Sequence, residues 1–438
     1  MDLPSMINRR AAPKRAGALG LAVGALEMAG PLAYIPERAV AATAPSDIQH
    51  DIGAFLTTPP QTSDKGVQFQ MPPVHTVFLT ATLGRTPTRA DQAEMNRVLT
   101  ALERSFQWGA AQLVTFVSYG IPYFNRLPGG LSGTLVSSHM PRLLSDTRRF
   151  ALEEAVPSPT DSGQPGITKL RYNVPVRIES NDLCITLRSD SPSVISMVLA
   201  WFAGSDQIGG HAIGSPAWNE FINFTSSRAM FIQRGLPQSV AERSGLPFAN
   251  LVQRQSPMWL GFDDQQTSAS GSAAITTFAG NSSAKFTNAA AGDYFDNGSI
   301  QHLAHDILDM LQWFEMNTPA VGPTAGQTGH RIGHQAALLH SSRAADGTPV
   351  HIRGDGPGFD DMDVPDGSNQ PKLQFNIFVP TADFFAGMRA NTAAQDLRNA
   401  HDVAVTDNGL ERFITATRRQ NFLSPPRRNR AFPLIEFT

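Results

Sequence analysis

The sequence predicts an α+β protein built from two ferredoxin-like units, and two observations in its first half carry that prediction. A β-like run at 75–81 precedes a helical pattern at 88–106, and a second strand pattern follows at 112–119. Further on, a strand pattern at 182–190 leads into a helical pattern at about 193–202. Strands and helices in this order are typical of a ferredoxin-like domain.

The second half of the chain repeats this arrangement. A strand is predicted to end at 258–261, and an amphipathic helix is predicted at 299–314. The apolar residues of that predicted helix recur at helical spacing, at Ile300, Leu303, Ile307, Leu308, Leu311 and Phe314. An alternating strand at 373–379 then leads to a helix that begins at Thr381 and continues to Met388.

The repetition predicts two domains, at 43–225 and 226–438. Between the predicted elements lie long segments rich in Gly, Ser, Pro and Asp, at 154–168, 264–298 and 341–372. Loops of this length in a compact protein usually carry function or lack a fixed structure. We therefore expect the functional site among them.

Residues 1–42 are predicted to be an export signal. Arg9 and Arg10 are followed by Lys14 and by a weakly apolar stretch at 16–33, and the run 39–41 reads Ala-Val-Ala, an A-x-A cleavage pattern. The segment resembles the twin-arginine consensus, without the large apolar residues that usually follow the arginine pair. The alternative is an amphipathic N-terminal helix that stays on the protein. Because the apolar stretch is rich in glycine and contains a glutamate and a proline, we expect no stable membrane span.

Composition excludes several classes of function. Removal of the signal leaves about 395 residues, enough for two domains of ordinary size. The formal net charge of −3 does not favour nucleic-acid binding, which requires a basic face. Cys184 is the sole cysteine, so an internal disulfide and a multi-cysteine metal site are both excluded. A residue of this kind in an apolar run is typically buried and inert.

Three segments of the second half carry candidate chemistry. The first, 261–266, reads Gly-Phe-Asp-Asp-Gln-Gln and follows the predicted strand. The second, 297–306, ends in His302, His305 and Asp306, and the third, 349–358, contains His351 and Arg353.

These segments resemble the dye-decolourising (DyP-type) haem peroxidases, and more closely a divergent exported branch of that superfamily. The resemblance implies two ferredoxin-like domains of the dimeric α+β barrel superfamily and one b-type haem. It assigns Asp264 as the distal acid–base group, after Phe262 in a Gly-Phe-x-Asp motif, and His351 as the ligand of the haem iron. It also implies a family helix at 298–313, containing His305, and a closing β-α unit at 373–388.

The chain departs from the family pattern in two places. Gln265 replaces the glycine that completes the family's distal motif, and no arginine occurs between 354 and 371, where the family places its distal arginine. Arg353 is the nearest arginine, but in a strand it shares a face with His351 and so does not lie across the haem from it. Two functions stay open: a peroxidase that uses hydrogen peroxide and a small-molecule reductant, and a haem-binding or haem-free protein without catalysis.

The residue chemistry agrees with this assignment. A haem iron takes a neutral imidazole as axial ligand, and a nearby carboxylate raises its basicity. His351 is the first candidate for this ligand, and His305 is the alternative. An acidic run at 360–367 also permits a calcium or structural role, and His302 with His305 permits a metal pair, so an extracellular metal-dependent enzyme is a third class. A homo-oligomer is compatible with any of these.

Overall fold

The computed structural model describes residues 46–52, 61–62, 68–69, 72–156, 169, 171–218, 221–261, 273–282, 284–316, 344, 348–385 and 412–438. Its strands are β1 (Gln61–Thr62), β2 (Gln68–Phe69), β3 (His75–Leu83), β4 (Val114–Gly120), β5 (Arg177–Ile178), β6 (Leu183–Ser189), β7 (Gln207–Ile208), β8 (His211–Ala212), β9 (Ile222–Phe231), β10 (Ser299–Leu308), β11 (Ile352–Arg353), β12 (Gly356–Asp360), β13 (Gln370–Val379) and β14 (Ile414–Ser424). Its helices are α1 (Arg89–Ser105), α2 (Ile121–Arg126), α3 (Thr134–Ser137), α4 (Pro192–Phe202), α5 (Leu236–Arg243) and α6 (Met310–Met316). None of the helices described here has the length and apolar character needed to cross a bilayer.

One ten-stranded sheet organises the described chain, and it confirms the predicted α+β class. Its main path runs β11-β13-β10-β14-β4-β6-β3-β9, with β12 paired to β13 and β5 paired to β14. All of its pairings are antiparallel except the short one between β5 and β14.

The same strand order occurs twice in this sheet. In the first unit β3, β4, β6 and β9 lie in the order β4-β6-β3-β9, and α1 and α4 connect strands as in a ferredoxin-like fold. In the second unit β10, β12, β13 and β14 lie in the order β12-β13-β10-β14. The domain limits remain a prediction of the sequence. The boundary predicted at 225/226 falls within β9, which pairs with β3 as far as Phe231.

Local sequence explains the helices of the first unit. Thr88 caps α1 through a capping box, in which its hydroxyl accepts from the Asp91 backbone amide and the Asp91 carboxylate accepts from the Thr88 amide. The buried side of α1 presents Met95, Val98, Leu99 and Leu102 to the sheet. A proline at the start of α4 sets its first turn, and a nearly continuous apolar run buries the rest.

The sheet curls until its two ends meet. β12 lies against β9, where a Cβ on Gly358 would stand 3.0 Å from the carbonyl oxygen of Ala229. Alternate side chains of each strand therefore point into an enclosed interior, and the others pack outward against the helices. The centre of that interior is apolar and contains Phe78, Cys184, Met230, Leu303 and Phe422.

Three predicted elements are corrected. Residues Ser299–Leu308 form β10 and not a helix, because all ten side chains are buried between β13 and β14 and both faces of the strand are covered. The helix in this region, α6, starts only at Met310. The segment 258–261 lies in turns and not in a strand, although Trp259 is buried there and donates to the carbonyl oxygen of Gly358.

The N-terminal residues 46–52 are tied to one end of the sheet. The Gln49 side chain donates to the carbonyl oxygens of Val117 and Pro425 and accepts from the Val117 amide. His50 contacts the hydroxyls of Thr276 and Ser299. The predicted export signal, 1–42, and the predicted helix beyond Phe385 lie outside the described residues.

Candidate functional site

The predicted site residues divide into two groups. Phe262 and Asp264 lie outside the described residues, which stop at Gly261 on this side. His351, Arg353 and His305 are described, and all three lie near the edge where β11 and β12 pair with β13.

His351 is buried immediately before β11. Only 1% of its surface is exposed. The next residue, Ile352, pairs with Phe378 and packs with Phe116 on the inner face of the sheet. Alternation therefore assigns His351 to the outer face, together with Arg353. The side chain is therefore directed away from the barrel interior.

Arg353 is held close to its own strand. Its Nε and Nη2 atoms donate to the Asp355 carboxylate at 3.0 and 2.8 Å. Asp355 is itself buried, so the pair is a two-point contact with little solvent around the carboxylate. The guanidinium is thus oriented along the outer face by a residue two positions on.

His305 lies inside the barrel, on β10, and hydrogen-bonding partners flank both of its ring nitrogens. Nδ1 is 3.0 Å from the Thr417 hydroxyl, and Nε2 is 3.3 Å from Oδ1 of Asp360. Burial lowers the pKa of His305, and the neighbouring carboxylate only partly opposes that effect. The imidazole is therefore neutral at pH 7.

Asp360 also faces a buried lysine. Lys372 Nζ lies 3.5 Å from Oδ1 of Asp360 and donates to the Met362 carbonyl oxygen at 2.6 Å. Burial raises the pKa of Asp360, but His305 and Lys372 together outweigh burial and the net shift is downward. Burial lowers the pKa of Lys372, and the Asp360 carboxylate, which raises that pKa, only partly offsets burial.

A second carboxylate, Asp363, completes this end of the barrel. Arg418 donates to its two oxygens at 2.5 and 2.7 Å, and the Thr417 hydroxyl donates at 2.9 Å. Asp363 has a φ of 59°, a left-handed conformation that is uncommon outside glycine. Arg418 also reaches Glu179, which in turn pairs with the buried Arg228. We call Glu179, Arg228, His305, Asp360, Asp363, Lys372 and Arg418 the barrel-end cluster.

Polar side chains also occupy the opposite side of the apolar centre. The Ser118 hydroxyl donates to Gln301 at 2.5 Å, and the Gln301 amide donates to Asn376 at 2.8 Å. A Cβ on Gly354 would stand 2.6 Å from the Asn376 amide nitrogen and 3.4 Å from the Arg188 guanidinium. The barrel interior is thus polar at both ends and apolar between them.

The structure excludes the metal pair that His302 and His305 permit in the sequence. Because β10 is a strand, residues three apart project to opposite faces. His302 points outward, where its Nδ1 lies 2.6 Å from the Asn421 side-chain oxygen and its ring stacks on Phe385. The calcium role that the acidic run at 360–367 permits finds no support either, because Asp360 and Asp363 are paired with cations. No group of three or more His, Cys, Asp or Glu suited to a metal occurs in the part of the chain that the structure describes.

A family comparison covers more than half of the chain. Residues 73–321 match the model of DUF7405, a family of unknown function. The chain belongs to this family.

The fold of this DUF7405 chain is similar to that of DyP-type peroxidases. The encapsulated DyP-type peroxidase from Mycobacterium smegmatis matches with a TM-score of 0.50 and 15% identity, over 84% of this chain and 96% of that one. A DyP-type protein from Shewanella oneidensis matches with a TM-score of 0.49 and 13% identity, over 83% of this chain and 95% of that one. A variant of Rhodococcus jostii DypB in complex with heme matches with a TM-score of 0.48 and 13% identity, over 82% of this chain and 96% of that one. No curated protein matches the sequence.

Sequence reasoning missed most of the barrel-end cluster in this DUF7405 chain. Arg228 and Arg418 lie on strands 49 and 55 residues from the carboxylates that they meet, and Lys372 meets Asp360 because β12 pairs with β13. One signal was available: β13 alternates Lys372, Gln374 and Asn376 with apolar residues although both of its faces are covered. Polar residues at alternate positions of a buried strand indicate a polar barrel interior.

Proposed function

We propose that this protein is an exported, haem-dependent peroxidase that oxidises a small-molecule reductant with hydrogen peroxide. The observation that supports it best is the buried imidazole of His351, at the outer face of the sheet edge in a DyP-like fold. The proposal rests on this donor and on the motif resemblance, because similarity of fold alone carries no activity.

The described residues fit the ligand side of a haem site. Of the two histidines considered as ligands, His305 lies inside the barrel, between Thr417 and Asp360. His351 is buried on the outer face, and we infer that it would hold the iron. A bound haem supplies the one-electron redox chemistry that this side-chain set lacks.

Each side chain then has a defined task. Asp264 would take a proton from one oxygen of hydrogen peroxide and return it to the other, as a carboxylate of suitable pKa can do. Asp355 fixes the Arg353 guanidinium on the same face as His351. In this proposal Arg353 would orient groups near the ligand and would not supply the cation that peroxide cleavage requires.

A second candidate function is haem binding without catalysis, or a haem-free role. The observation that favours it is the commitment of Arg353 to Asp355, together with the absence of arginine from 354–371. Cleavage of the peroxide bond normally requires a cation that stabilises the charge on the departing oxygen.

An absorption spectrum separates the haem-based functions from the rest. The purified protein, reconstituted with haemin, is expected to show a Soret band, and His351→Ala should abolish or shift it. The matched control is His305→Ala, which should keep the band because that imidazole lies on the inner face. A folded wild-type protein that stays colourless would overturn the proposal.

Turnover then separates peroxidase from passive binder. Asp264→Asn in the haem-loaded protein should lower the rate of dye oxidation by hydrogen peroxide by about 10²–10⁴-fold, the usual contribution of a general acid–base group. The neighbouring Asp263→Asn is the control. An unchanged rate in Asp264→Asn, or no turnover in the wild type, would favour the second candidate.

Export through the twin-arginine route is part of the proposal and has its own test. Replacing Arg9 and Arg10 by lysine should retain a reporter fused to residues 1–42 in the cytoplasm, while the native segment should export it. Equal export of both fusions would contradict this route.

A further inference from the structure

Arg228 presents unmatched donors inside the barrel. Its side chain is fully buried, and its Nη2 pairs with Glu179. Its Nε and Nη1 atoms have no hydrogen-bond partner among the described residues. A buried guanidinium whose donors are left unmatched is costly, and such groups in native proteins are normally satisfied by protein, water or ligand.

An unmatched acceptor lies at the same end of the barrel. Oε1 of Gln374 is buried without a partner in the described chain, while its Nε2 lies 3.5 Å from Oδ2 of Asp360. A Cβ on Gly358 would stand 3.1 Å from that Nε2 and 3.0 Å from the Ala229 carbonyl oxygen. The Gln374 amide therefore lies beside the residue that follows Arg228. Gln374 is the cross-strand partner of His305, and the charge of Arg228 acts on the pKa of the same histidine, so the two unmatched donors and the unmatched acceptor lie around one imidazole.

The charges at this end nearly balance, so the unmatched guanidinium donors, and not a net charge, favour an anion. In the barrel-end cluster three cationic side chains stand against three carboxylates, and His305 is neutral because burial lowers its pKa. Arg177, 3.7 Å from Asp363, adds one positive charge, and Asp361, whose charge acts on Lys372, adds one negative charge. The side chains of Asp360 and Asp363 are 20% and 18% exposed, so solvent reaches the cluster from their side.

We propose that this end of the barrel binds a small planar oxyanion that carries a hydroxyl group, of the hydrogencarbonate class. The anion accepts from Nε and Nη1 of Arg228, and its hydroxyl donates to Oε1 of Gln374. This site goes beyond the proposed function, because it lies on the inner face of the sheet and His351 is assigned to the outer face.

Calorimetric titration of the purified full chain at pH 8 and constant ionic strength tests the site. Hydrogencarbonate is expected to bind saturably, nitrate more weakly because it has no hydroxyl, and chloride without saturation. Arg228→Lys keeps a cation beside Glu179 but removes the unmatched donors, and should weaken hydrogencarbonate binding by about tenfold or more. Arg177→Gln, the control for net charge, should change the affinity for hydrogencarbonate by less than about threefold.

A second variant keeps the test decisive if Arg228→Lys does not fold. Gln374→Met removes the acceptor, so it should weaken hydrogencarbonate binding while leaving nitrate binding unchanged. Absence of saturable binding by the wild type, or equal losses for both anions in Gln374→Met, would overturn the proposal. Repeating the titration with haemin-loaded protein separates the two sites, because the affinity for the anion should not depend on haemin.

Discussion

Nε2 of His305 lies 3.3 Å from Oδ1 of Asp360, inside the barrel and close to the place where β12 meets β9. The two residues belong to different strands, and β13 lies between them in the sheet. Their contact therefore depends on the pairing of three strands. It joins the second unit's first strand to the acidic segment that the sequence singles out.

His305→Ala should destabilise the protein by about 3 kcal/mol, because it leaves a cavity and removes one of the partners of a buried carboxylate. Urea unfolding at pH 7 measures this change. The control is His211→Ala, since His211 is exposed and its removal should cost less than about 0.5 kcal/mol. Equal midpoints for the two variants would show that the buried contact contributes nothing.

Asp363→Asn should lower stability at pH 7 by about 1–2 kcal/mol, and the loss should disappear in acid. Burial raises the pKa of Asp363, but Arg418 outweighs burial and brings it to about 2. A carboxyl whose pKa is depressed in the folded state stabilises that state above its ordinary pKa, and the contribution fades as pH falls towards 2. Unfolding curves of both proteins between pH 7 and 2.5 test this. Asp206→Asn, at an exposed position, should show no such convergence.

Acidification from pH 7 to pH 5 should destabilise the protein through its buried histidines. Burial lowers the pKa of His50 to about 3 and that of His75 to about 4. Below pH 6.5 these imidazoles bind protons in the unfolded state but not in the folded state. The free energy of unfolding therefore falls by roughly 2 kcal/mol for each histidine between pH 7 and pH 5. His75→Gln should flatten the pH dependence of unfolding in this window. An unchanged slope in that variant would contradict the assignment.

Gly358→Ala should destabilise the contact between the two ends of the sheet by about 1–3 kcal/mol, a typical cost of overpacking. The added Cβ would stand 3.0 Å from a backbone oxygen of β9, which cannot move without shifting the strand. The control is Gly214→Ala, because a Cβ there meets nothing within 4 Å. Thermal unfolding compares the two, and equal melting temperatures would show that β12 and β9 are not in close contact.

The elements of the first unit can be predicted from the sequence, because each strand or helix shows a single periodicity and is separated from the next. The strand at 75–81 and the capped helix after Thr88 appear in the structure within a few residues of their predicted bounds. The sequence predicts a helix where β10 lies, and the reason is physical. Its apolar residues at 300, 303 and 307 satisfy a helical period, and a strand buried on both faces has no alternation to contradict it.

The sequence by itself determined the α+β class and the repetition of two similar units, because periodicity and capping depend only on residues that are close together in the chain. It also singled out the segments of His305, His351 and the acidic run. Only the tertiary structure decided which of these residues meet. It placed His305 inside the barrel with Asp360 and Lys372, and brought Arg228 from the first unit to the same end. Contacts between strands far apart in the chain depend on sheet pairing and closure, which no local pattern encodes.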